Sequence, residues 1–210
     1  MQPESSLQMH YEDLDKQAHA ARMGMWIFLG TEILLFGGLF VGYVCYRFLF
    51  RNVFHEASRH LVTIAGAVDT VVLLTSSLFA VLSVHFLRIG RVRLVTLCLS
   101  LTAAMGVAFL VLHGFEYAHD AGEGALPGRF YHLKELPIPS AGLFFTLYFL
   151  MTGLHSFHVV VGVGVVGYMA IRSARGGLVP GYEAPLEVAT LYWHLVDVIW
   201  IFLFPLLYLV

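Results

Sequence analysis

The sequence predicts an all-α, polytopic membrane protein, a bundle of five transmembrane helices, and three observations carry that prediction. Of 210 residues, 59% are hydrophobic and only 12% charged, too little charge to clothe a soluble domain of this size. The apolar residues gather into five runs, at about 24–46, 61–87, 94–115, 140–171 and 190–210. Each run reaches the roughly 20 residues needed to cross a bilayer core about 30 Å thick. All 12 Lys and Arg residues fall outside the runs. A net charge of -2 with no basic stripe argues against nucleic acid as a partner.

Residues 1–23, MQPESSLQMHYEDLDKQAHAARM, are polar and mildly acidic, with no apolar core ahead of a small-residue cleavage site. They are read as a tail on the cytoplasmic side, helical from about Tyr11 and available to a partner, rather than as a cleaved signal peptide. Residues 24–210 form the membrane domain. With five spans the two termini lie on opposite faces. If the amino terminus is inside, the inner segments hold Lys16, Arg22, Arg88, Arg91, Arg93, Arg172 and Arg175. The outer ones hold Arg47, Arg51, Arg59, Arg129 and Lys134, so the positive-inside rule favours a cytoplasmic amino terminus and a periplasmic carboxyl terminus.

Run one carries Glu32, ten residues past Arg22 and therefore about 15 Å deep. A protonatable acid at mid-depth can relay protons or simply bond a neighbouring helix. One acid makes no pathway, so the second reading is preferred. Run two carries Asp69 and then Thr75, Ser76 and Ser77, small hydroxylated residues that suit close helix packing. Run three ends in Leu112-His113-Gly114-Phe115-Glu116-Tyr117 and leads into a loop of about twenty residues, HDAGEGALPGRFYHLKELPIP. His113, His119, Glu116 and Asp120 could surround a metal. Their mix of helix end and loop favours interfacial hydrogen bonding, and no metal ligand is assigned.

Run four places His155 and His158 three apart on one helix face, with Gly153, Gly162, Gly164 and Gly167 available for close helix approach. The two imidazoles are expected to donate across that contact; neither a third ligand nor a cysteine follows at metal-binding spacing. Run five, Tyr192 to Val210, places His194, Asp197 and Trp200 on one face. An ionised carboxylate turned to acyl chains costs at least about 2.5 kcal/mol. Asp197 is therefore expected to pair with His194, to bond a neighbouring helix, or to carry a proton. Asp197 lies about 15 Å past Glu187, and His158 about 21 Å before Arg172. Glu32, His158 and Asp197 thus share one level, and runs one, four and five are expected to meet through them or through a subset including His155 and His194. Cys45 and Cys98 fall near opposite faces, which excludes a disulfide between them.

Two strings carry a resemblance. Tyr192-Trp193-His194-Leu195-Val196-Asp197-Val198-Ile199-Trp200 and Thr152-Gly153-Leu154-His155-Ser156-Phe157-His158-Val159-Val160-Val161-Gly162 resemble signatures of cytochrome c oxidase subunit III. Weaker matches surround Glu32, which takes the place of the family's buried carbodiimide-reactive glutamate, and Glu116, which takes the place of the glutamate in a Gln-Ala-Ser-Glu-Tyr segment. Asp69 stands where the oxidase version has Asn and where related ubiquinol oxidases have an acid nearby, so both electron donors stay open. Arg172 takes the place of an arginine that holds a phospholipid phosphate.

The resemblance implies a non-catalytic subunit of a haem-copper terminal oxidase in the bacterial cytoplasmic membrane. The chain would hold no cofactor beyond bound phospholipid, with haem and copper in its partners. It implies oxidase subunit I as the main contact and subunit II, and leaves open whether a respiratory supercomplex forms. Lipid binding at Arg172 and a buried polar or proton-related network of Asp69, Glu32, Glu116, His155, His158, His194 and Asp197 follow from it. Longer members carry two further helices ahead of these five, which implies a lipid cleft completed by another subunit or absent. Two alternatives remain: an accessory protein of a nitric oxide reductase system, and an independent proton or metal transporter using Glu32, Asp69, His155 and His158. Against the transporter stands the lack of visible repeats or broken helices.

Overall fold

A computed structural model describes residues 13–127, 131 and 141–209. Residues 1–12 of the tail and most of the loop after Pro127, with Arg129 and Lys134, lie outside the described residues. Six helices are described: α1 (Leu14–Leu49), α2 (Arg51–Ser58), α3 (Thr63–Arg88), α4 (Val92–Glu123), α5 (Ala141–Ala174) and α6 (Ala184–Tyr208). All but α2 are long and apolar enough to cross a membrane.

At 36 residues, α1 is about 54 Å long and overreaches a bilayer core. Its first turns are the polar segment after Asp13, whose side chain caps the helix by accepting from the Lys16 N–H at 2.6 Å. Such a cap contributes about 1 kcal/mol. The extension is anchored where Gln17 Nε2 donates to the Tyr182 hydroxyl at 2.6 Å. The short α2 was not predicted. It is held by Phe54, whose buried ring meets Tyr43 and Phe144 at 5.4 Å each.

α4 corrects the expected loop. Apolarity stops at Phe115, but the helix continues with Glu116 and Asp120 buried on its inner face and runs to Gly124, whose φ of +86° ends it. The Ala125 N–H then closes the last turn on the Asp120 carbonyl at 2.9 Å, as a glycine-terminated helix does. His119 and Asp120 are therefore helical.

Helices α3, α4, α5 and α6 pack in sequence and close a ring, since α6 returns to α3; α1 lies outside it against α6 and α5. Trp193 of α6 is the ring's pivot. Its fully buried indole donates to Ser76 Oγ of α3 at 3.0 Å. The same indole lies against two glycines. A Cβ at Gly106 of α4 would stand 2.5 Å from it, and one at Gly162 of α5 2.9 Å. Gly162 thus permits the close approach expected of it. Gly164 and Gly167 do not, since a Cβ on either would meet nothing within 4 Å. Gly106, unmarked in the sequence reading, is the tighter site. Without a hydrophobic drive between helices in lipid, such close packing and interhelical hydrogen bonds hold the bundle.

At the face where α1 begins, Glu187 of α6 accepts from Arg22 Nε of α1 at 2.9 Å and from an Arg88 Nη of α3 at 2.7 Å. Both arginines are exposed, so each bond contributes well under about 1 kcal/mol. Cys45 is exposed, Cys98 is buried, and both are free.

Candidate functional site

Two polar centres lie within the spans. The first joins α1 to α5. His158 Nδ1 is 2.7 Å from the Leu154 carbonyl one turn back, and Nε2 is 3.0 Å from Glu32 Oε2. A carbonyl only accepts, so Nδ1 must carry a hydrogen and donate it. One further proton then bridges Nε2 and the Glu32 carboxyl, whichever atom holds it, and the pair is electrically neutral in both arrangements. The Tyr192 hydroxyl of α6 donates to the His158 carbonyl at 3.1 Å, and Phe36 meets the imidazole edge-on at 5.4 Å. Every polar atom of the imidazole has a partner.

Asp197 does not join this group. Its carboxylate is buried near Ser77 of α3, but that hydroxyl is taken by His194 Nδ1 at 2.6 Å, and neither Asp197 oxygen makes a hydrogen bond of good geometry. His194 thus bonds α3 rather than Asp197, and this part of α6 faces α3, not α1.

The second centre sits inside the ring, nearer the opposite face. His113, Glu116 and Asp120 of α4 are spaced to share one helix face, turned toward Asp69 of α3. These four residues are 1–7% exposed. His113 Nδ1 lies 3.2 Å from Glu116 Oε2 and 3.9 Å from Asp69 Oδ2. The imidazole is clamped by aromatic rings: Phe109 stacks at 5.6 Å, Tyr117 lies at 4.6 Å, and Trp200 meets it edge-on at 5.5 Å. The Tyr208 hydroxyl at the end of α6 donates to Glu116 Oε2 at 2.9 Å, with Tyr148 of α5 behind it at 3.3 Å. Trp200 ties α6 to α3 by donating to Thr70 Oγ1 at 3.1 Å.

His155, expected to donate across a helix contact, makes no hydrogen bond. It is buried between Phe109 at 5.6 Å and Trp200 at 5.1 Å. Residues three apart on a helix differ by about 60° around it. That angle suffices to send His158 outward to α1 and His155 into the ring.

Asp69, His113 and Glu116 offer one ligand atom each, all within 4.8 Å of one another. His119, weighed with His113 in the sequence, stands apart on the exposed side of α4, 3.3 Å from Glu123. Sequence reasoning missed Tyr208 and Tyr148. Nothing local to those tyrosines points to Glu116, which is reached only through the packing of α6 on α4. Arg172, half-buried in the last turn of α5, makes no ion pair among the described residues.

Residues 4–210 match the family model described as cytochrome c oxidase subunit III. The chain is 29% identical to the probable quinol oxidase subunit 3 of Staphylococcus haemolyticus, over 94% of each chain. It is 30% identical to the quinol oxidase subunit 3 of Bacillus subtilis, over 89% of this chain and 85% of that one. It is 33% identical to the cytochrome c oxidase subunit 3 of the same organism, over 89% and 84%.

Proposed function

We propose a function from one premise, that the chain belongs to the cytochrome c oxidase subunit III family. It serves as a non-catalytic subunit of a haem-copper terminal oxidase, in which other subunits reduce oxygen. The family carries no catalytic cofactor in this subunit, and no catalytic residue is assigned here. The observation that carries the reading is where the polar side chains of the spans go. Glu32 bonds His158, Tyr208 bonds Glu116 and His194 bonds Ser77: each joins two helices of this chain. Side chains so engaged suit a scaffold better than a conduit.

Within that role, haem and copper belong to the partner subunits, with subunit I the main contact and subunit II in the same complex. The chain is a multi-pass membrane protein, placed in the bacterial cytoplasmic membrane with its amino terminus inside. The Arg22, Arg88 and Glu187 cluster then lies at the cytoplasmic headgroups. On the same face, the uncommitted guanidinium of Arg172 suits a phospholipid phosphate, which it can hold through paired hydrogen bonds. The chain sustains proton uptake and protects the catalytic subunit from inactivation during turnover.

Purification of the tagged chain in mild detergent tests this reading. Haem-bearing, oxygen-reducing subunits are expected to accompany it in fixed ratio; a chain that emerges alone, stable and able to transport protons or metal, would overturn the assignment.

A further inference from the structure

The centre between α3 and α4 holds more acceptors than its own hydrogens satisfy. Among the described residues, the only ion-pairing partner of Asp69 or Glu116 is His113. Asp69 Oδ1, Glu116 Oε1 and both ring nitrogens of His113 are buried without a hydrogen bond. The imidazole cannot turn away to find one, because Phe109, Tyr117 and Trp200 fix its plane. Leaving each such atom unsatisfied costs about 1–3 kcal/mol, more for a charged group.

A single divalent cation would take its counter-charge from the two carboxylates and would engage His113 Nδ1, since each residue offers one atom toward a common point. Tetrahedral zinc, with bonds of about 2.0–2.2 Å, sets ligand atoms roughly 3.3 Å apart. The His113 to Glu116 separation of 3.2 Å already meets that, and the 3.9 Å to Asp69 needs a side-chain adjustment of well under one rotamer. An imidazole with two carboxylates selects a transition ion over calcium or magnesium, which prefer all-oxygen shells of six or more. The Tyr208 bond to Glu116 is the outer support that such ligands commonly have.

We propose that Asp69, His113 and Glu116 bind one divalent transition-metal ion of the zinc class, a structural link between α3 and α4. The ion has no redox role, and because every protein ligand belongs to this chain, the site does not depend on the oxidase assignment.

The test uses the full-length tagged chain with whatever partners accompany it, stripped with a chelator, exposed to Zn²⁺ alone and desalted. Zinc is counted per tag. The wild type is expected to retain one zinc more than His113→Gln or Asp69→Asn, with at least tenfold tighter retention, while His119→Gln on the exposed side matches the wild type. Zinc X-ray absorption of the wild type should show a nitrogen and oxygen shell near 2.0–2.1 Å with imidazole scattering, a readout that survives even if one variant fails to accumulate. Equal zinc in all forms, loss only in His119→Gln, or a shell without imidazole would each overturn the proposal.

Discussion

The two polar centres use the same residue types at different levels of the bundle and reach opposite outcomes. Between α1 and α5, one acid meets one imidazole at 3.0 Å, a carbonyl takes the other ring nitrogen, and the account closes on a single proton. Between α3 and α4, three acids crowd one imidazole, and five buried polar atoms, Asp120 Oδ2 among them, make no hydrogen bond. The first lies at the rim, with Glu32 and His158 side chains 14% and 10% exposed; the second is enclosed by the ring, at 2–4% for Asp69, His113 and Glu116. The contrast teaches that a buried histidine and acid do not define a role by type. The count of donors against acceptors, and what encloses them, decides whether the group is a finished joint or one that calls for a further ligand.

The largest expected effect tests the frame that both centres share. Gly106→Ala forces a Cβ against Trp193 and Val163, and overpacking of this kind costs about 1–3 kcal/mol. Thermal unfolding in detergent should fall clearly, whereas Gly164→Ala, which meets open space, should leave it unchanged or slightly raised. Equal shifts in the two variants would remove Trp193 as the pivot.

Next in size is Tyr208→Phe, which strips the hydroxyl that bonds the Glu116 carboxylate. A loss of about 1–3 kcal/mol is expected, since a buried charged acceptor is left short, and hydrogen exchange should rise at the end of α6 before it rises in α1. The smallest effect belongs to the headgroup cluster. Arg22→Gln should cost less than about 1 kcal/mol and should vanish at high salt, because the pair is solvent-exposed.

Much of this architecture was legible in the sequence. Five spans follow from length and hydropathy, and the common level of Glu32 and His158 correctly brings α1 and α5 together. The residues that were misread fail for physical reasons. α2 is too short and polar to show as a span, and α4 outruns its apolar stretch with Glu116 and Asp120 buried on its inner face, a tertiary burial that hydropathy does not show. Gly164 and Gly167 look like packing residues by type, yet they face outward. Tyr208 meets α4 only across the ring, which no local pattern encodes. His194 and Asp197 share a face as expected, but the register of α6 turns that face to Ser77 rather than to Glu32.

The central claim is that Glu32 with His158, Glu116 with Tyr208 and His194 with Ser77 join helices while oxygen chemistry proceeds in other subunits. Initial oxygen turnover of the purified complex carrying Glu32→Gln measures it most directly, because an amide can keep the bond to His158 but cannot exchange its proton. Initial turnover within about twofold of wild type is predicted, since the interhelical bond that the amide preserves averages only about 0.6 kcal/mol in membranes, and activity should then decay faster with continued cycling. An immediate loss of nearly all turnover, with haem content and this subunit retained, would contradict the account.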